Sequence, residues 1–134
     1  MRFSVILLEL STASLVTAGC FSHGDEWGAE VPIAREALKK FCNEGQLSGP
    51  FTHNQFKLAC VNLSSVKRAD FRVQAGPLDE LSADSITLKP EECIKVLEYE
   101  IGGCSMGGSS TYHYDGVGDF TFVSDPNSGN CASN

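Results

Sequence analysis

Pro90-Glu91-Glu92-Cys93-Ile94-Lys95-Val96-Leu97-Glu98-Tyr99-Glu100-Ile101-Gly102-Gly103-Cys104 holds the clearest periodicity in the chain. Proline suits the first turn of a helix, and the two glutamates after it complement the positive end of the helix dipole. Gly102-Gly103 ends the helix. Cys93, Leu97, Ile101 and Cys104 lie nearly along one stripe, so one face is apolar and bears two cysteines. Those cysteines stand about 16 Å apart if the helix is continuous, whereas a disulfide needs Cα atoms within about 7 Å. They should not pair with each other. Each is placed to staple the helix to another element, a strand or a terminus.

Working outward, Val31-Pro32-Ile33-Ala34-Arg35-Glu36-Ala37-Leu38-Lys39-Lys40-Phe41-Cys42 predicts a second helix. Pro32 fits its first turn, Glu36 precedes Lys40 by one helical repeat, and Ala34, Leu38, Phe41 and Cys42 share a face. Asn43 and Gly45 stop it. Phe21 to Glu30 has no period and reads as an extended arm tied down by Cys20. Leu47 to Pro50 reads as a turn.

Strand patterns follow each helix. In Gln55 to Leu63, Phe56, Leu58 and Cys60 fall on one side. In Val66 to Gln74, Phe71 and Val73 oppose Asp70, Arg72 and Gln74, and the polar residues between the two runs predict a hairpin. Ala75 to Thr87 reads as a linker. Ser110–Tyr114 and Asp119–Ser124 are strand-like, and Asp125-Pro126-Asn127-Ser128-Gly129 has turn chemistry. The fold class expected is α+β: a small disulfide-stapled domain with two helices packed on an antiparallel sheet of about four strands.

Composition bounds the setting. The 134 residues predict one domain. Met1-Arg2-Phe3-Ser4, the apolar stretch Val5–Val16 and the small residues near Ala18 follow the pattern of a signal peptide, with Glu9 its poorest fit. The expected division is residues 1–18 as signal peptide and 19–134 as a single cysteine-rich secreted domain, with cleavage after Gly19 the alternative. The leader is too short and interrupted to span a bilayer, which takes about 20 apolar residues. Lipidation at Thr17-Ala18-Gly19-Cys20 would leave an odd number of cysteines, and Thr17 stands where such a site wants an aliphatic residue.

Six cysteines, Cys20, Cys42, Cys60, Cys93, Cys104 and Cys131, lie beyond the leader and predict three disulfides of open connectivity. Cysteine and histidine spacings for zinc are missing. The formal charge of −7 is unchanged by cleavage, which removes Arg2 and Glu9 together. Such a domain is poorly suited to nucleic acid or anionic lipid. The expectation is no cofactor, no nucleic acid and no membrane.

The motifs that could hold chemistry have plain structural readings. Gly103-Cys104-Ser105-Met106-Gly107 matches G-x-S-x-G, but a helix precedes the serine, and no acid separates it from His113, the only later histidine. Asp125-x-Asn127 resembles the start of a calcium loop, yet no glutamate closes it, and a turn accounts for it. His23, His53 and His113 are scattered. These features predict a protein that is not an enzyme. Asn62-Leu63-Ser64 is a glycosylation acceptor sequence. Tyr112 and Tyr114 alternate on one strand face, and aromatic faces bordered by polar groups suit sugars. The competing reading packs that face on a helix. With Trp27, the only tryptophan, these tyrosines are the candidate binding residues.

The chain from Cys42 onward resembles small secreted cysteine-rich proteins of fungi related to fungal glycan-binding lectins. The helix ending in Cys42, Phe56-Lys57-Leu58-Ala59-Cys60-Val61, Arg68-Ala69-Asp70-Phe71-Arg72-Val73 and the helical Cys93 carry the likeness. The most specific part is Cys104…Gly107-Gly108…Phe120-Thr121-Phe122-Val123-Ser124-Asp125-Pro126-Asn127-Ser128-Gly129-Asn130-Cys131. The resemblance implies a fungal source, an antiparallel sheet with helices on it, and glycan binding. It transfers no binding residue, and Tyr112 to Val117 is longer than the family pattern. The function expected is a secreted, extracellular, non-catalytic glycan-binding or cell-wall-associated module. The alternative is a secreted effector or toxin that binds a host extracellular protein such as a protease, with the Ala75–Thr87 loop as its contact.

Overall fold

The computed structural model describes residues 13–78 and 85–132. In chain order the elements are β1 (Ala13–Cys20), α1 (Val31–Asn43), β2 (Gly49–Thr52), β3 (Phe56–Ser64), β4 (Lys67–Leu78), β5 (Ser85–Leu88), α2 (Pro90–Gly103), β6 (Gly108–Tyr114) and β7 (Gly118–Ser128). A short 3-10 turn, Gly28–Glu30, leads into α1. One sheet has the order β1-β6-β7-β4-β3, with every neighbouring pair antiparallel, and β2 and β5 form a second.

The α+β class and both helices agree with the sequence reading. The strand count does not: among the described residues, seven strands in two sheets replace about four. The extra strands come from segments without a readable period. Gly49–Thr52 and Ser85–Leu88 are four residues each and bury one and two side chains respectively. Phe51 sits opposite Ile86 and meets the ring of Phe120 edge-on at 5.3 Å. The expected turn at Leu47–Pro50 therefore runs into β2. The expected linker is shorter too: β4 continues to Leu78 and β5 starts at Ser85, while 79–84 lie outside the described residues. Residues 1–12 of the expected leader also lie outside them.

β4 and β7 turn alternate side chains inward. Ala69, Phe71, Val73 and Ala75 from β4 meet Phe120 and Phe122 from β7 in the core. Helix α1 buries Ala34, Leu38 and Cys42. Helix α2 buries Cys93, Val96, Leu97, Glu100 and Ile101, including most of the predicted stripe. Trp27 plugs the end of the core, 1% exposed and stacked on Phe71 at 6.5 Å, and its indole N–H donates to the Cys104 carbonyl at 2.9 Å.

The side of β3 bearing Phe56 and Leu58 faces outward, with the two residues 51% and 62% exposed. Cross-strand register is the cause. Ala59 lies opposite Phe71, so Ala59, Val61 and Leu63 turn inward, and Leu58 lies opposite the outward Arg72. The guanidinium of Arg72 covers the Phe56 ring at 5.1 Å.

Asp125-Pro126-Asn127-Ser128 is a further correction: it continues β7 and pairs with Lys67–Asp70. Proline is tolerated because β6 covers β7 only as far as Ser124, so one edge is open at Pro126. The reversal comes at Gly129, whose φ is 87°. Gly107 has φ 82°, and a Cβ there would collide with the Ser124 carbonyl oxygen and the Pro126 ring. Only glycine allows α2 to hand over to β6 so close to β7.

All six cysteines are bridged: Cys20–Cys104, Cys42–Cys93 and Cys60–Cys131. Cys93 and Cys104 indeed have different partners. Cys42 and Cys93 are both fully buried and join α1 to α2. An Arg35–Glu98 ion pair at 3.3 Å spans the same helices near the surface, where it adds little. Replacing Cys42 and Cys93 together with alanine should lower the unfolding free energy by about 2–5 kcal/mol, read by urea titration of the oxidised protein.

Candidate functional site

Helix α2 lies across the inner face of β6 and β7, and serine hydroxyls tether it. Ser124 donates to the Leu97 carbonyl at 3.0 Å, and Ser110 donates to Glu100 Oε2 at 2.6 Å. Beside this contact a cleft of about 490 Å³ opens between the end of α2, β6 and β1. Tyr99, Glu100, Ser110 and Tyr112 line it, with Leu15 and Ala18 of β1 on the far wall.

Glu100 is its unusual member. The side chain is only 4% exposed, and Oε1 is buried without a hydrogen bond of its own. Burial pushes its pKa up to about 8, opposed by the nearby hydroxyls of Ser110 and Ser124. A carboxyl in that state is protonated at neutral pH, so it can both donate and accept.

The two tyrosines differ in their support. Tyr99 is 66% exposed on α2. Tyr112 is half-buried, edge-on to Phe122 at 6.1 Å and tilted against Tyr114 at 6.4 Å. Partial burial, then the proximity of Tyr99, Glu100 and Glu92, raises the pKa of the Tyr112 hydroxyl and keeps it protonated. The cleft is therefore aromatic, polar and uncharged at neutral pH, and no lysine or arginine lines it.

The three residues singled out from sequence part ways. Tyr112 and Tyr114 do share a face, and that face packs toward α2: Tyr114 donates its hydroxyl to Glu92 Oε2 at 3.0 Å and meets Phe120 edge-on. Burial, followed by Glu92, pushes the Tyr114 pKa up. Tyr114 opens instead on a neighbouring hollow of about 360 Å³ with Lys89, Glu92 and Asp115. Trp27 is in the core and has no open ring face. Tyr99 and Glu100 were missed. Their signal was helical spacing: Glu100 follows Cys93 by two turns and Val96 by four residues, which sets it on the buried face.

The other motifs stand apart from the cleft. Ser105 is exposed just past α2. The ring nitrogens of His113 face Asp119 at 2.7 Å and Asp115 at 3.6 Å. Ser22 and His23 are 3.1 Å apart and exposed. Asn127 lies in β7 and donates to Asp70 Oδ2 at 2.7 Å. Asn62 is exposed on β3, its Oδ1 accepting from the Cys131 N–H at 2.7 Å. Among the described residues no cluster of histidine, cysteine or carboxylate could hold a metal ion, and no helix is long and apolar enough to cross a membrane.

Comparison with known families adds one decisive observation. Residues 35–131, well over half of the 134, match the family described as Glycan binding domain Y3. The chain belongs to this family. No curated protein matches the chain. The match runs from Arg35, within α1, through β7 and takes in all the cysteines but Cys20. Of the cleft, it includes Tyr99, Glu100, Ser110 and Tyr112 and excludes β1.

The Glu100 geometry has a measurable consequence. Its folded pKa lies above the unfolded value, so ionisation costs the native state stability as pH rises from about 4.5 toward about 8. The cost should total a few kcal/mol, because each tenfold change in proton affinity is on the order of 1.4 kcal/mol. Urea titrations of wild type and Glu100→Gln across this range should differ in slope, the variant losing less stability with pH.

Proposed function

We propose that this protein is a secreted, non-catalytic glycan-binding domain whose ligand site is the Tyr99–Tyr112 cleft. The observation that carries this reading is a cleft lined by Tyr99, Tyr112 and the Ser109 and Ser110 hydroxyls in a member of a glycan-binding family. Sugars present apolar C–H faces and hydroxyls together. A tyrosine ring covers the first, and the serine and tyrosine hydroxyls that line the cleft answer the second by donating and accepting. Glu100, buried behind the cleft, accepts from Ser110 and so fixes the aim of that hydroxyl.

Secretion is supported by the leader pattern and by three bridges, which persist in oxidising compartments. The resemblance to fungal lectins supports a fungal source and a role at a fungal or host cell surface. Asn62, exposed within its acceptor sequence, fits an attached N-glycan. At the cleft wall Ser110 donates to a Glu100 carboxyl that is itself buried, and no histidine lines the cleft, which supports binding without turnover.

Tyr99 is the clean probe because it is exposed. Tyr99→Ala should weaken retention on a printed glycan array about 3- to 10-fold while leaving the thermal midpoint unchanged. Tyr114→Ala should weaken it less, since Tyr114 opens on the other hollow. Full retention by Tyr99→Ala would move the site elsewhere. In secreted protein, N-terminal sequencing should start at Gly19.

A further inference from the structure

Strand β1 is unlike every other element. Each residue from Ser14 to Cys20 is exposed, with Leu15 and Val16 at 53% and 54%. From Ser14 to Cys20 it adds no side chain to the core, whose first member among the described residues is Trp27. Its attachment is the ladder to β6, in which Ala13, Ser14, Leu15, Thr17 and Ala18 pair with Tyr114, His113, Tyr112, Thr111 and Ser110. Leu15 and Ala18 also form the far wall of the cleft.

The leader boundary falls inside this strand. Cleavage after Ala18 would remove all five of those partners and leave Cys20 bridged to Cys104 and the Phe21 N–H bonded to the Gly107 carbonyl at 2.8 Å. The shortened chain keeps every residue of the core cluster and every bridge. What changes is β6, which becomes the outermost strand. Open edges are commonly blunted by proline, lysine or a bulge. Ser110-Thr111-Tyr112-His113-Tyr114 holds no proline and no lysine, and its pairing with β7 is regular.

We propose that the mature chain uses this bared β6 edge as one wall of its glycan site, in the place β1 occupies in the full chain. The inference rests on the glycan reading of the cleft and on removal of the leader. The edge alternates N–H and C=O groups, and a sugar hydroxyl can meet either because it donates and accepts. Once Leu15 and Ala18 are gone, the edge is continuous with Ser110 and the Tyr99 and Tyr112 rings. A second copy of the chain is the less fitting occupant, because two domains of formal charge −7 repel.

Three chains test this: residues 19–134, residues 13–134, and 13–134 carrying Leu15→Pro, which breaks the β1 ladder without touching the core. Each is oxidised and its three bridges verified by mass before binding to a printed glycan array. The 19–134 and Leu15→Pro chains should bind the same array glycan about tenfold or more tightly than 13–134. Amides of Ser110–Tyr114 should exchange quickly in free 19–134 and slow when that glycan is added. Equal affinity of all three chains, with Tyr99→Ala still weakening each, would keep the cleft and overturn the edge. A 19–134 dimer with those amides already protected would assign the edge to a second copy and overturn it as well. No retention of any glycan by any chain would overturn the glycan reading itself.

Discussion

The antiparallel ladder between β4 and β7 is the constraint on which the other elements depend. It pairs Lys67–Ala75 with Phe120–Ser128 residue for residue, the longest uninterrupted register in the sheet. Strict alternation along it puts Phe71, Val73, Phe120 and Phe122 on one face. A one-residue slip would turn all of them to solvent, so burial and register enforce each other. Each of these side chains is worth roughly 1.5–3 kcal/mol when buried. The helices pack where this apolar face is, and β3 and β6 take their inward residues from the partner they pair with.

The polar groups of the inner face are placed to serve that packing and then exceed it. Ser124 and Ser110 both reach α2, one at a backbone carbonyl and one at Glu100. The first bond satisfies a helix carbonyl beside an apolar core. The second retains a carboxyl in a place where leucine would pack more simply. Burying a carboxyl is costly, and this one escapes most of the cost by staying protonated. A group held this way at the wall of an aromatic cleft is the kind of local cost that accompanies a binding function.

The disulfides divide the labour differently from the hydrophobic core. Cys42–Cys93 is internal and locks the two helices together. Cys20–Cys104 and Cys60–Cys131 pin the two ends of the described domain to the end of α2 and to the outer strand β3. All three close long loops, at separations of 84, 51 and 71 residues, so each removes much of the unfolded chain's freedom. With the ends held this way, β1 can lie on the sheet without bearing any of its load.

Local information determined the helices, the β3–β4 hairpin and the exclusion of a Cys93–Cys104 bridge. Val31–Cys42 and Pro90–Ile101 each carry a helical stripe and a proline at the start, and both effects act within a few residues. The separation of Cys93 from Cys104 followed from helix rise alone. The same local reasoning failed at Asp125–Ser128, where turn chemistry is overridden by pairing with a distant strand. It was silent at Gly49–Thr52 and Ser85–Leu88, which are too short to show a period. Phe56 and Leu58 looked like an inward face until their register with β4 placed them outside. The lining of the candidate cleft divides the same way: Tyr112 could be read from sequence as an aromatic on a strand beside polar residues. Trp27 could be assigned only by seeing it in the core. Glu100 could be recognised only by its burial and its contact with Ser110, because a carboxylate's environment is set by neighbours far away in the chain.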